Sequence, residues 1–496
     1  MMTTFSSSAN ALSPWACALL PLLAVFLYGV YNVWVHPLRK YPGPILWCAY
    51  RAPYVVSTHR GQLHRRLKDF HTTYGPVVRI APDELSYADS RAWKDIYTSR
   101  PGHQLFQKNK TWFKKQSPDE PQSIMSFDEA AHSRFRRAFA PAFSDTALRE
   151  QAPIVEGYVD SLVSKLRDSK LRSVDLELLL ECMAFDISSD LSFADSFGSL
   201  EGGKTHPWVE IAKGFGKGLA LIASINQYPP VDRVLRLIIP KKVIEKMKDH
   251  AMMSSAMAQK RLSMKTDRPD FVTATKKYVD AKGGIEGKEW DINLMIMVFS
   301  GSETLASSLT AIFRELVQHP GALQRLTTEI RSTFVSEEEI TLASTTHLPY
   351  LNAVIDEGLR LDPPAPVTPP KVVPAEGDIV CDRFVPGGTY VAYNQYSGNR
   401  QAYNFHLPNT FLPERFLPSH RNEKDDMASF QPFHMGRHQC IGVKLAYAEM
   451  RIAISRIVYS FDLRLADAKD TFDWGDQSTY IFWEKRPLKV VITHAE

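Results

Sequence analysis

Apolar and charged positions divide the chain into an apolar head and a long mixed body. No Asp, Glu, Lys or Arg precedes Arg39, and Trp15–Val35 reads WACALLPLLAVFLYGVYNVWV. Those 21 residues can cross a hydrocarbon core of about 30 Å at about 1.5 Å per residue. Tyr28, Tyr31 and Trp34 gather toward one end, as an interfacial belt does. Arg39 and Lys40 are the first positive charges, so the positive-inside rule puts this side and all that follows in the cytosol. A cleaved signal would need a basic start and a shorter apolar core, and neither is present. The pattern predicts a membrane anchor over residues 1–36, a stiff YPGP linker and one body over 37–496.

Within the body, residues 76–88 carry β-branched and aromatic residues between Pro and Asp breaks and predict short strands. Apolar positions at helical spacing predict helices over 145–166, 176–195, 291–318 and 347–361. Residues 362–440 are rich in Pro and Gly and predict a long ordered coil with small strands such as 388–393. A last long helix follows Gly442 and runs to about Phe461, and 477–493 returns to a strand-like pattern.

Composition narrows the class. Hydrophobic residues make 44% and charged residues 23% of the 496 positions, which excludes a disordered, collagenous or multi-span protein. A net charge of +4 from 59 basic and 55 acidic residues is too even to suggest nucleic-acid binding. The five cysteines are odd in number, scattered and without a C-x-x-C pair. They argue against a disulfide framework and a structural zinc site, and for a reducing compartment.

Three motifs carry chemistry. Residues 433–442, FHMGRHQCIG, place Cys440 immediately before an apolar helix. Backbone N–H groups and the helix dipole favour an anion there, Gly436 and Gly442 permit close backbone approach, and a thiolate so placed is a soft ligand for iron. A buried free cysteine is the alternative. Residues 292–302 carry no charge, then Glu303 and Thr304 follow. Gly301 weakens a helix at that point, and Thr304 can bond back to the Ser300 carbonyl, which predicts a local opening for a diatomic ligand and water. A polar face turned to solvent is the alternative. Glu357 and Arg360 lie three apart on one helix face, and Arg415 follows in PERF.

F-x-x-G-x-x-x-C-x-G resembles the haem-binding loop of the cytochrome P-450 family, and the other motifs follow in that family's order. The resemblance covers nearly the whole chain from HPLRKYPGP to FDLRL. It is closest to fungal microsomal members of the trichothecene hydroxylase type. It implies a mainly α fold with small β-sheets (α+β), haem lying between the oxygen-activating helix and the cysteine loop. It implies haem b, with Cys440 as thiolate ligand and Phe433, Gly436 and Gly442 shaping the loop. His438 stands where the family usually has Arg, as in the sterol demethylase branch, so the haem carboxylate contact falls to His438 or Arg437. SGSETL resembles the A/G-G-x-D/E-T-T/S signature, which makes Gly301, Glu303 and Thr304 the catalytic set, with the acid and the alcohol delivering protons in oxygen activation. By the same resemblance Glu357, Arg360 and Arg415 form a buried ionic network, and His132, Arg136 and Lys371 are further haem carboxylate contacts.

Substrate walls, placed by position, are Ile124 and Phe127, Val298 and Phe299, Val367 and Thr368, and Ile481. Arg134, Arg137, Arg437 and Lys444 suggest a basic face for an acidic electron donor. The family implies electrons from NADPH through NADPH–cytochrome P-450 reductase, with cytochrome b5 as an optional donor. It also implies a small lipophilic substrate, an endoplasmic reticulum membrane anchor and no nucleic-acid partner. Oxidation in fungal secondary metabolism is the expected activity. The same cofactor performing oxidative coupling, ring rearrangement or desaturation is the second reading, and a non-enzymatic haem-binding membrane protein the third.

Overall fold

The computed structural model describes residues 14–495 apart from 113–119, 127, 169–172, 229–231, 236–240, 277–283 and 421. The apolar head is one helix, α1 (Pro14–Trp34), whose side chains from Leu19 to Leu27 are largely exposed. Its last turns are bonded to the body. The Arg79 guanidinium donates to Asn32 O (2.8 Å), the Asn32 amide donates to Ala49 O (2.9 Å), and Tyr50 Oη donates to Val25 O (3.2 Å). The YPGP segment is therefore no free spacer. Tyr41 is buried and its hydroxyl donates to Phe384 O (3.1 Å).

Six helices build the core: α2 (Glu129–Phe139), α3 (Asp145–Asp168), α4 (Leu176–Phe193), α5 (Gly287–Gln318), α6 (Pro349–Leu361) and α7 (Val443–Ser460). Asp128 and Asp175 cap α2 and α4 by accepting from first-turn N–H groups, and α5 opens with a Glu286–Glu289 capping box. Helix α4 lies along α5, and α5 also packs on α6 and α7. Leu180, Phe185, Leu294, Leu309, Ile312, Val354 and Ile452 meet there without exposure. By length and composition α5 could cross a membrane, but most of it is core, as its apolar pattern on all sides requires.

The strands are short. β1 (Val77–Ala81), β2 (Glu84–Tyr87), β3 (Gln107–Lys108), β5 (Lys371–Val372) and β8 (Tyr390–Tyr393) form a sheet of order β1-β2-β8-β5-β3, with β2 and β8 parallel. β4 (Ser173–Asp175), β9 (Phe461–Leu465) and β10 (Lys489–His494) form a second sheet, and β6 (Asp378–Val380) with β7 (Arg383–Val385) a hairpin. The fold is thus mainly helical with small sheets. The strand-like pattern at 477–493 holds only over its last part. Before Lys489 a single bridge, Thr479 with Trp483, takes its place, because this stretch turns back into the protein and packs its side chains there.

Candidate active site

The cysteine loop is closed by its own backbone, Cys440 N–H donating to Phe433 O (2.9 Å). Gly436 has φ +71°, and a Cβ there would stand 2.1 Å from Tyr97 O, so only glycine lets the loop lie on the end of the short helix Arg91–Tyr97. Gly442 meets no such limit. A Cβ would touch only the Phe143 ring at 3.7 Å, and its contribution is the N–H it offers to Cys440. Phe433 packs on Tyr447, ring centres 5.1 Å apart.

Protein atoms crowd round the Cys440 thiol, yet the residue keeps free surface, which together point to a cavity in front of it. Burial pushes this thiol up, and the Gly442 N–H and Arg136 pull it down only in part. A metal ion bound by this sulfur would favour the thiolate by displacing its proton.

Helix α2 supplies one rim of the cavity. The Arg136 guanidinium donates to Gln439 O, tying α2 to the residue before Cys440. His438 Nε2 lies 3.0 Å from Glu129 Oε1, its Nδ1 lies 3.0 Å from Lys371 Nζ, and the His132 and His438 rings are 4.5 Å apart. His438 therefore faces inward, whereas Arg437 is half exposed and reaches Glu129 only at 4.0 Å. Burial, then Lys108 and His438, push His132 down to about 3, and burial pushes Lys371 down to about 7. Burial and these neighbours thus oppose a positive charge on His132. Buried nitrogen bases that repel one another, with His132 Nδ1 unpartnered, fit a group that brings carboxylates. Glu129, His132 and His438 could also frame a metal ion, but the ammonium of Lys371 beside His438 opposes a second cation.

The second rim is α5. Ser300 and Gly301 keep free surface at the middle of this otherwise buried helix, and Thr304 Oγ1 donates to Ser300 O (2.6 Å). The predicted opening is not a break: α5 runs unbroken through it, because a threonine back-bond leaves the ladder in place. A Cβ on Gly301 would stand 2.9 Å from Ser188 Oγ, so glycine here lets α4 approach α5. Glu303 turns toward α4. Its Oε1 lies 2.5 Å from Lys485 Nζ, which is also 3.3 Å from Glu181 and 4.0 Å from Glu177. Burial opposes the Lys485 charge, but these three carboxylates hold the ammonium well above its usual range.

Glu357, Arg360 and Arg415 meet below the site, all with side chains 0–1% exposed. Glu357 accepts from Nε and Nη2 of Arg360 (2.6 and 2.9 Å) and from Nε of Arg415 (3.1 Å). Arg415 also pairs with Asp425 (2.7 Å). Remaining guanidinium protons go to the carbonyls of Asn399, Pro408, His406 and Leu407. The coil between the small sheet and the cysteine loop is threaded on these two arginines.

The residues chosen as substrate walls divide. Val367 and Ile481 line one cavity with Trp112, Leu63 and Tyr480. Phe299 packs on Phe482 (5.4 Å), Ile124 is half-buried, and Thr368 N–H donates to Asn394 Oδ1 (3.1 Å). Val298 is a correction: it has no exposure, because its face of α5 is closed into the core. Phe127 lies outside the described residues. Of the basic face, Arg134 is engaged bidentately by Glu289 (2.8 and 2.6 Å) and Lys444 by Asp145, which leaves Arg137 and Arg437 as its more open members. Lys485, Asp425 and Glu129 belong to the site but carry no sequence signal. Each is an ordinary charged residue until a distant segment folds against it.

A family model described as cytochrome P-450 matches residues 38–490. The chain is 39% identical over 467 residues to cytochrome P-450 monooxygenase astJ of Aspergillus oryzae, covering 92% of each chain. It is 37% identical to averantin hydroxylase of Dothistroma septosporum, over 99% of this chain and 91% of that one. Identity to averantin hydroxylase of Aspergillus parasiticus is 37%, over 94% of each.

Proposed function

Because the chain belongs to the cytochrome P-450 family of haem-dependent monooxygenases, we propose that it oxidises a small lipophilic intermediate of fungal secondary metabolism. Cys440, exposed just before the start of α7 while Cys48, Cys182 and Cys381 are buried, is the observation that carries this reading. Cys440 would hold the haem iron, and His438, Lys371, His132 and Arg136 the carboxylate edge. When bound, haem with a thiolate ligand supplies oxygen activation, inserting one atom into substrate while the other leaves as water. The family's use of redox partners extends here to NADPH–cytochrome P-450 reductase, with cytochrome b5 optional. The exposed apolar α1 acts as anchor in the endoplasmic reticulum membrane, residues 1–36 being the anchor and 37–496 the catalytic domain.

The chain's own part is to bind, orient and move protons. Apolar walls at Ile124, Phe299, Val367 and Ile481 exclude water and hold a lipophilic molecule. Thr304 Oγ presents a hydroxyl to the cavity, and Glu303 is the acid behind it. Because Lys485 holds Glu303 as its partner carboxylate, Glu303 would first take a proton from water or from Lys485, and then turn from Lys485 toward Thr304 to pass it on. Thr304→Ala is expected to retain haem while consuming NADPH and releasing hydrogen peroxide in place of product. NADPH use against product formed measures this, and unchanged coupling removes Thr304 from the pathway.

Reversing charge at Arg137 and Arg437 together is expected to slow reduction by the reductase several-fold at low salt, and less at high salt, where such fields are screened. An unchanged rate at low salt, followed by stopped-flow absorbance, would remove that face. The function is tested by the carbon monoxide difference spectrum of the reduced protein and by product mass. A product heavier by one oxygen supports hydroxylation, and one lighter by two hydrogens supports the desaturation or coupling reading.

A further inference from the structure

A turn beside the site is gripped from two sides. Over Ser123–Ser126 the chain closes on itself, Ser126 N–H donating to Ser123 O (3.0 Å) and Ser123 N–H to Ser126 Oγ (2.9 Å). From β3, the Lys108 ammonium donates to Ser126 O (2.9 Å) and Met125 O (3.3 Å). From α5, Asn293 Oδ1 accepts from Ile124 N–H (2.8 Å), while its amide donates to Glu289 O (2.7 Å). Lys108 is 7% exposed and Asn293 fully buried. Two hydrogen bonds of the ammonium go to carbonyls of this one turn, and Glu129 is a nearby charge. Lys108 also sits directly opposite Lys371 in the β3–β5 pair, an unfavourable placement for two like charges. Lys371 turns to His438 of the cysteine loop and Lys108 to the turn. One strand pair thus joins the haem edge to the segment bearing Ile124.

We propose that Lys108 and Asn293 form a clamp that fixes the Ser123–Ser126 turn as a rigid wall of the substrate pocket, which makes them positioning residues for substrate specificity. The inference rests on the reading of Ile124 as a substrate contact. An apolar pocket discriminates by size only when its wall does not yield, and its discrimination is modest even then. A turn held by its own bonds alone would give way to a larger ligand. Held from β3 and α5 together, it moves only if both grips break.

The test uses the full-length, haem-loaded protein as wild type, Lys108→Met, Lys108→Arg and Asn293→Ala. Hydrogen exchange is followed at the amides of 123–126, and imidazole and 4-phenylimidazole are titrated by absorbance as ligands without and with a wall-touching group. Lys108→Met and Asn293→Ala are expected to speed exchange of the turn about fivefold or more, the loss of one to two net hydrogen bonds. They are expected to weaken 4-phenylimidazole binding by a similar factor and leave imidazole unchanged. Lys108→Arg, which keeps the charge and the donors, restores both. Wild-type exchange and wild-type 4-phenylimidazole affinity in the Met and Ala variants would overturn the clamp. If Lys108→Met does not fold, Asn293→Ala decides alone, since it removes no charge. A wild-type protein without a thiolate-type spectrum would sink the monooxygenase reading instead, and the exchange rates still judge the clamp.

Discussion

Replacing Cys440 by serine is expected to abolish the thiolate-type Soret band of the reduced, carbon monoxide-treated protein, and all substrate oxidation with it. Cys440 is the one cysteine in the described structure that keeps free surface, since Cys48, Cys182 and Cys381 are buried. Its sulfur stands at an interior cavity, its N–H is fixed to Phe433 O, and Arg136 binds the carbonyl of the preceding residue. Serine fits that space but offers a hard, protonated oxygen where iron needs a soft anion. His438 cannot simply replace it, because its nitrogens are engaged near Glu129 and Lys371. Absorbance of the purified variant, with haem content measured separately, checks this. A thiolate-type band surviving in Cys440→Ser would move the ligand elsewhere and overturn the assignment.

Glu357→Ala is expected to yield protein without haem and with much lower expression. The carboxylate is shared by Arg360 and Arg415, and it also accepts from Leu412 N–H (2.8 Å). Its removal leaves two fully buried guanidinium groups with Asp425 as the remaining carboxylate of this cluster. Breaking one member of a buried ionic network costs about 3–5 kcal/mol, against a total stability of about 5–15 kcal/mol for a folded protein. The damage is directional, because the arginines hold the carbonyls of the coil that ends in the cysteine loop. Glu357→Gln, which keeps the shape and one acceptor, should lose less. Haem content per folded protein and the melting temperature are the readouts. Normal haem content in Glu357→Ala would show that the network does not support the loop.

The local features were legible in the sequence because each one is a pattern over a few turns. Uncharged residues over 292–302 place α5, apolar spacing after Gly442 places α7, and the absence of charge before Arg39 places α1. Gly436, Cys440, Glu303, Thr304 and the Glu357–Arg360 pair stand at short fixed spacings, so a motif could name them. The motif could not say which way they point. Glu303 and Thr304 are neighbours on one helix, yet the acid turns to Lys485 and the alcohol bonds back beside the cavity. Val298, one turn earlier than Ser302, is closed in core.

What only the tertiary structure decided is the set of partners drawn from distant segments. Lys485 reaches α5 and α4 from the C-terminal segment, Asp425 completes the arginine network, and Lys108 and Asn293 meet on one turn from a strand and a helix. The sequence by itself determined the main helices and the reaction class, because helix periodicity and close-spaced motifs are short-range properties of the chain. The direction of each side chain, the environment of the Cys440 thiol and the grip on the Ser123–Ser126 turn depend on burial and on contacts between residues far apart in sequence. Those exist only once the chain has folded, since desolvation and hydrogen-bond geometry are set by what surrounds a group and not by its neighbours along the backbone.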